Sequence, residues 1–249
     1  MNDSPSTTSP EWPTHWPSNS FKNIWTWLVA GFVALIFVGA ATSSVYQGGV
    51  QIGALTPKAL AISLAVTFAL EGGLVWLVLG TLPALSKLSL RQLGFTMPSF
   101  NVVAWAVLGA IAMVVVANGS ATLIENALHS KHEEDVVQIF KNLHDPASIG
   151  IFGFLAIVFA PFCEEVLFRV FFFNVGLRFG GFWAGAIVSG VLFGIAHGDL
   201  VAAVPLALGG IVLCYVYYRT RNAWASMISH ALFNSLSIVA LTFAPKIAS

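Results

Sequence analysis

The residues best suited to chemistry in this sequence are a few ionisable side chains inside long apolar stretches. Glu164 and Glu165 stand side by side in the run PFCEEVLFRVFFF, and Arg169 follows four residues after Glu165. An ionisable residue at the centre of a membrane-spanning helix costs about 2.5–3.5 kcal/mol on insertion scales, so such residues should face one another or a wet cavity. On a helix, Glu165 and Arg169 share a face and can pair, whereas Glu164 is rotated by about 100°. One carboxylate is therefore neutralised locally, and Glu164 is left for chemistry or for a partner elsewhere.

Two further apolar segments carry imidazoles at helical spacing. His230 and Asn234 are four residues apart, and so are Phe193 and His197. A carboxylate assisted by an imidazole can take a proton from water. A second imidazole and an amide N–H can stabilise the oxyanion that forms on a peptide carbonyl. This combination suits hydrolysis of a peptide bond inside a membrane.

The composition is that of a membrane protein that crosses the bilayer several times. Hydrophobic residues make up 57% of the 249 residues, charged residues only 9%, and the mean hydropathy is +0.83. A soluble domain of this size could not bury so many apolar side chains. Lys+Arg and Asp+Glu are both 11, so there is no basic field for nucleic acid. We predict an all-α, polytopic transmembrane bundle whose surroundings are the lipid bilayer.

Each spanning helix needs roughly 20 apolar residues, and the apolar runs predict seven such helices. A break in the long fourth run at Pro161 or Gly176 would give eight. The predicted spans are residues 24–46, 59–82, 102–123, 148–175, 182–197, 200–218 and 223–243.

The chain divides into four predicted regions. The first is a disordered tail rich in Pro, Ser and Thr, and the second contains the N-terminal spans and an amphipathic loop helix. The third contains the polar motifs, and the fourth is a short C-terminal tail. Their bounds are residues 1–20, 21–147, 148–243 and 244–249.

Taken together, the motifs resemble those of a known family. Any one of them is weak evidence, but all three in order, each in an apolar helix, are specific. The resemblance covers roughly residues 148–243 and is to the CPBP family, the CAAX-prenyl-protease and bacteriocin-processing membrane endopeptidases, also called Abi or Rce1-like. The motifs are Glu164-Glu165-x-x-x-Arg169, Phe193-x-x-x-His197 and His230-x-x-x-Asn234.

The resemblance implies an α-helical intramembrane endopeptidase with a glutamate-dependent mechanism and no cofactor. By that likeness Glu164 is the base that activates water, and His197 assists it. His230 and Asn234 form the oxyanion site. The supporting residues are Glu165 and Arg169, which orient the first motif, and Phe193.

The expected partner is a peptide or protein substrate at the membrane, and the expected location is the bacterial cell membrane. The substrate stays open between a prenylated CAAX terminus and a leader or bacteriocin-type peptide. The sequence also departs from the family's pattern. Val170 stands where members often have Gly after the motif Arg, and the segment from Thr220 to Trp224 lacks the usual Thr-Gly-Ser. Both departures could reshape the cavity.

Three other functions compete with this prediction. Glu164, His197 and His230 form an acceptable catalytic zinc set, although the usual H-E-x-x-H helix is absent. A transporter could use the same residues to relay protons, but no internal repeat is evident. A non-catalytic partner, such as an immunity protein, could keep the polar cluster as a binding site.

Two buried residues have no assigned role from the sequence. Glu71 interrupts the second span, where a cavity role and a structural role are equally supported. Cys163 adjoins Glu164, but it is one residue off the proposed catalytic face, and we interpret it as a small core residue. The exposed loop residues His129, His132, Glu133 and Glu134 are interpreted as a solvated face rather than a metal site.

Overall fold

The computed structural model describes residues 69, 71–80, 82–83, 88–129, 137, 140–141, 143 and 145–243. All secondary structure in these residues is helical, as predicted. The two predicted tails, the first predicted span and half of the second lie outside the described residues. The helices are α1 Glu71–Gly80, α2 Phe100–Leu128, α3 Pro146–Leu177, α4 Gly180–Ala196, α5 Leu200–Thr220 and α6 Ala223–Phe243.

Helices α2, α3, α5 and α6 are long and apolar enough to cross a membrane, whereas α1 and α4 are shorter apolar helices. The protein is therefore a multi-pass integral membrane protein. These four helices correspond to predicted spans, and α4 corresponds to the fifth prediction. The total of seven to eight helices stays a prediction, because the structure describes none of the first predicted span and only half of the second.

Helix α3 begins at Pro146, where the Asp145 carboxylate accepts a hydrogen bond from the Ser148 backbone N–H at 2.9 Å. It passes through Pro161 and Gly176 and ends at Leu177. The chain bends sharply between α3 and α4, where Gly181 has φ 71°, a conformation that glycine adopts without steric cost. The break that separates the two helices thus follows Gly176 by a few residues, and no break occurs at Pro161.

Two segments of α3 are wound as π-helix, Leu155–Phe159 and Val166–Phe173. This winding shifts the backbone hydrogen bonds by one residue and leaves carbonyls without their usual partners. Side chains satisfy two of them in the second segment: Ser189 Oγ on α4 donates to Phe168 O at 2.7 Å, and Asn174 Nδ2 donates to Val170 O at 2.9 Å. Every residue of Val166–Phe173 is buried, so this segment lies at the centre of the bundle.

The polar linker before α2 docks onto the ends of the later helices. Tyr217 Oη on α5 donates to Leu93 O at 3.0 Å and accepts from Asn174 Nδ2 at 3.0 Å. Asn222 Nδ2 donates to Thr96 O at 2.9 Å. This linker is therefore tied to a tyrosine whose ring also packs against Phe173 of the second π segment, at 5.9 Å between centroids.

Helices α4 and α5 approach closely through glycines, as small residues permit in membrane proteins. A Cβ atom at Gly190 would lie 2.6 Å from the Ala207 carbonyl oxygen and 2.9 Å from Ile211 Cγ1. A Cβ atom at Gly194 would collide with the Ala203 carbonyl oxygen. Because backbone atoms cannot move aside cheaply, the packing of α4 on α5 depends on these glycines.

We expect Gly190→Ala to destabilise the protein by about 1–3 kcal/mol through overpacking. The matched control is Gly119→Ala on α2, where an added Cβ meets nothing within 4 Å. Removing a helical glycine there should stabilise the protein by about 0.4–1 kcal/mol. Thermal unfolding of both variants in detergent micelles checks the prediction, and equal shifts in the same direction would contradict it.

Candidate active site

The described helices bring most of the predicted site residues into one cluster. Helix α3 supplies the two glutamates and the arginine, α4 supplies the phenylalanine and is followed directly by the first histidine, and α6 supplies the second histidine and the asparagine. These residues are Glu164, Glu165, Arg169, Phe193, His197, His230 and Asn234.

The centre of the cluster is a buried ion pair, as the sequence spacing predicts. Glu165 Oε1 lies 3.0 Å from Arg169 Nη1, and both side chains are fully buried. Arg169 Nη2 also donates to Gly210 O on α5 at 3.3 Å, and the guanidinium carbon lies 4.5 Å from the centroid of the Phe193 ring. Glu165 is therefore enclosed by protein and serves to hold its neighbours in place.

His230 lies between the two glutamates. Its Nδ1 is 3.0 Å from Glu165 Oε1, and its Nε2 is 3.7 Å from Glu164 Oε2. A carboxylate only accepts hydrogen bonds, so Nδ1 carries the proton that it donates to Glu165. In the neutral ring the lone pair is then on Nε2, directed toward Glu164. Glu165 thus fixes both the tautomer and the orientation of His230.

The two glutamates differ in their access to solvent. The Glu164 side chain is 16% exposed, whereas the Glu165 side chain is 0% exposed. The sequence spacing placed them on different faces of the helix, and the structure agrees. Glu164 is thus the carboxylate that a water molecule or substrate can reach.

Glu71 on α1 belongs to this cluster. It is close enough to Glu164 for the two carboxylates to interact electrostatically, and its buried Oε2 atom has no hydrogen-bond partner among the residues that the structure describes. Helix α1 approaches α3 closely, since a Cβ atom at Gly72 would lie 3.5 Å from Phe159 Cζ. A cavity role for Glu71 stays a prediction.

His197 lies near the cluster but in a more open position. It is exposed, and its Nδ1 is 2.8 Å from the Phe193 carbonyl oxygen of its own helix. The Phe193 ring packs against the imidazole of His197 at 4.7 Å and against that of His230 at 5.6 Å between centroids. The imidazole that contacts Glu164 is that of His230, and assistance by His197 stays a prediction.

Asn234 faces the backbone of α3. Its Nδ2 donates to the Ala156 carbonyl oxygen at 2.7 Å, within the first π segment. One amide hydrogen is therefore engaged by the protein itself, and a role at the oxyanion stays a prediction.

The donor set does not fit a metal ion as the zinc alternative requires. Among the residues that the structure describes, no three His, Cys, Asp or Glu side chains are grouped closely enough to hold one. Glu164, His197 and His230 therefore do not form a preassembled zinc site. The absence of a cofactor stays a prediction, which a chelator can test.

Sequence reasoning missed two residues that position the cluster. Ser189 and Asn174 donate to carbonyls of the π segment that carries Arg169. The available signal was a polar side chain on an otherwise apolar helix, which in membranes often makes an interhelical hydrogen bond.

Fold and site together define a polytopic helical membrane protein with a buried carboxylate–imidazole cluster. Residues 146–236 match the sequence model of a family described as Type II CAAX prenyl endopeptidase Rce1-like. The putative membrane peptidase YdiL of Bacillus subtilis is 22% identical over 221 residues, which cover 87% of this chain and 86% of YdiL. The membrane-embedded CAAX protease MroQ of Staphylococcus aureus is 25% identical over 154 residues, 57% of this chain and 59% of MroQ. No solved structure matches.

The family-model match and the two named relatives support a place for this chain in the CPBP family. The matched family model and both named relatives are described as membrane peptidases or CAAX proteases, and both relatives are bacterial. The matched region begins at the first residue of α3 and ends two residues after Asn234. It therefore contains all seven predicted site residues.

Proposed function

We propose that this protein hydrolyses a peptide bond of a membrane-delivered substrate by means of a water molecule activated by Glu164. The observation that carries the proposal is that the two glutamates differ in burial and in pairing. Glu165 is buried and paired, whereas Glu164 is partly exposed and has an imidazole nitrogen 3.7 Å away. A general base needs access to water and a neighbour that can share its proton, and Glu164 has both.

In this mechanism Glu164 takes a proton from water as the water oxygen bonds to the carbonyl carbon of the substrate. The carbonyl π electrons move to its oxygen. When the tetrahedral intermediate collapses, the carbon–nitrogen bond breaks and Glu164 returns the proton to the amine. The base thus ends the cycle as it began, with a carboxylic acid and an amine as products.

The oxyanion needs positive charge or N–H donors, and His230 is suited to supply them. Its Nε2 can share the proton held by Glu164, and the resulting imidazolium is stabilised by Glu165, 3.0 Å from Nδ1. This arrangement resembles the carboxylate that orients the imidazole in serine-protease triads. His197 is exposed beside Phe193, and we assign it the orientation of the attacking water.

The substrate class follows from the relatives only as a proposal. A CAAX-type substrate would be a prenylated C-terminal peptide, and a leader-type substrate would be an unmodified peptide near the membrane. Both would approach Glu164 from the bilayer, since the cluster is formed by apolar helices.

The test is cleavage of a fluorogenic peptide library, prenylated and plain, by the purified protein in mild detergent. We expect cleavage that a chelator does not reduce. We expect Cys163→Ser to retain activity, because Cys163 is buried and the proposed nucleophile is water. Loss of cleavage with chelator would support a metallopeptidase instead. Loss in Cys163→Ser with an unchanged unfolding temperature would assign the nucleophile to the thiol.

A further inference from the structure

The backbone just before Glu164 contains a carbonyl that has lost both its α-helical and its π-helical N–H donor. In the first π segment the Ala160 N–H donates to Leu155 O, five residues back. In an α-helix it would donate to Ala156 O, four residues back. The π partner of Ala156 O is the N–H of residue 161, and that residue is Pro161, which has none. Both backbone donors for Ala156 O are thus lost.

A side chain of another helix replaces the missing donor. Asn234 Nδ2 on α6 donates to Ala156 O at 2.7 Å, across 78 residues of sequence. Water cannot satisfy a carbonyl inside the hydrocarbon region, so an internal donor is required there. The distance of 2.7 Å between Asn234 Nδ2 and Ala156 O is that of a hydrogen bond, and the amide of Asn234 supplies the N–H donor that the carbonyl requires.

The same helix makes the contact with the glutamates. His230 precedes Asn234 by one helical turn and contacts Glu164 and Glu165. The two contacts of α6 on α3 lie on opposite sides of Pro161 in the sequence. Together they fix how α3 and α6 are placed relative to each other, and hence where Glu164 lies with respect to His230.

We propose that Asn234 is a positioning residue whose amide replaces the N–H that Pro161 lacks, holding the π turn that presents Glu164 to His230. As far as it concerns catalysis, this proposal rests on the proposed function. It also concerns stability, which does not depend on that function. The role differs from direct stabilisation of the oxyanion, since a purely oxyanion-binding Asn234 would have no energetic link to residue 161.

The discriminating experiment is a double-mutant cycle of Asn234→Ala, Pro161→Ala and the double variant, in the full-length protein. Pro161→Ala returns an N–H at the position that can reach Ala156 O. We expect Asn234→Ala alone to lower kcat by about a hundredfold, the scale of a misplaced catalytic group. We expect the double variant to recover most of that loss relative to Pro161→Ala alone, a non-additivity typical of residues that share one contact.

The unfolding temperature of the same four proteins is the second measurement, and it requires no substrate. We expect it to fall in Asn234→Ala and to recover in the double variant. If the protein proves to have no peptidase activity, this recovery still supports the positioning role. A double variant as impaired as Asn234→Ala in both measurements, with Pro161→Ala intact, would overturn the proposal.

If Pro161→Ala does not fold, Asn234→Leu answers the question. The leucine side chain is close to the amide in size and shape but has no hydrogen-bond donor. We expect a lower unfolding temperature than that of the wild type, because Ala156 O loses its donor. An unchanged unfolding temperature with lost activity would assign Asn234 to the oxyanion and overturn the proposal.

Discussion

Glu164→Gln is expected to lower kcat by about 10³–10⁴-fold, the contribution of a general base at the upper end of its range. The amide keeps the size of the side chain but cannot accept a proton from water. The Glu164 side chain is 16% exposed and its Oε2 lies 3.7 Å from His230 Nε2, so the fold should tolerate the change. We therefore expect KM and the unfolding temperature to stay close to those of the wild type.

The matched control is Glu165→Gln, the same change one residue along the chain. It removes the negative charge that pairs with Arg169 and orients His230, each at 3.0 Å. We expect this variant to lose stability as well as activity. Measuring kcat, KM and thermal unfolding for both variants separates the base from its supporting neighbour. Equal activity of Glu164→Gln and wild type would refute the assignment of the base.

Arg169→Met is expected to destabilise the protein by about 3–5 kcal/mol, the cost of leaving a buried charge without its partner. Arg169 is fully buried and makes an ion pair with Glu165, a hydrogen bond to Gly210 O and a cation–π contact with Phe193. Methionine fills much of the volume but supplies no charge. Glu165 would then face only His230.

Reversible unfolding in mixed micelles gives the free energy for Arg169→Met and for the double variant Glu165→Leu/Arg169→Met. The double variant should recover part of the loss, because replacing both charges by apolar groups removes the unpaired carboxylate. Arg219→Met is the control: Arg219 is exposed and its guanidinium carbon lies 5.3 Å from the Trp105 ring. A similar loss in both single variants would contradict the burial argument.

The sequence by itself determined the features that depend on local spacing. Apolar runs of the length of a bilayer predict spanning helices, and α2, α3, α5 and α6 are confirmed as candidates. The pairing of Glu165 with Arg169 follows from four residues on a helix, and the separate position of Glu164 follows from a rotation of about 100°. These predictions succeeded because the helix places such neighbours whatever surrounds it.

Only the tertiary structure decided which distant groups meet. His230 is 65 residues from Glu165 and Asn234 is 78 residues from Ala156, and helical periodicity contains no information about such pairs. The sequence assigned His197 to assist Glu164, which stays a prediction, but it gave no sign that His230 lies 3.7 Å from the same carboxylate. For Glu71, likewise, only the approach of α1 to α3 revealed that this carboxylate lies near Glu164.

Pro161 illustrates why contacts between distant residues could not be predicted from the sequence. Read locally, a proline inside an apolar run predicts a helix break, because it removes a backbone donor. Helix α3 nevertheless continues through it, wound as π-helix just before the proline, with Asn234 of α6 donating to the carbonyl left unpaired. The local sequence determines that proline removes a backbone N–H donor. The side-chain donor that replaces it, from Asn234, belongs to another helix. Whether α3 breaks or continues at Pro161 therefore depends on how the helices pack together.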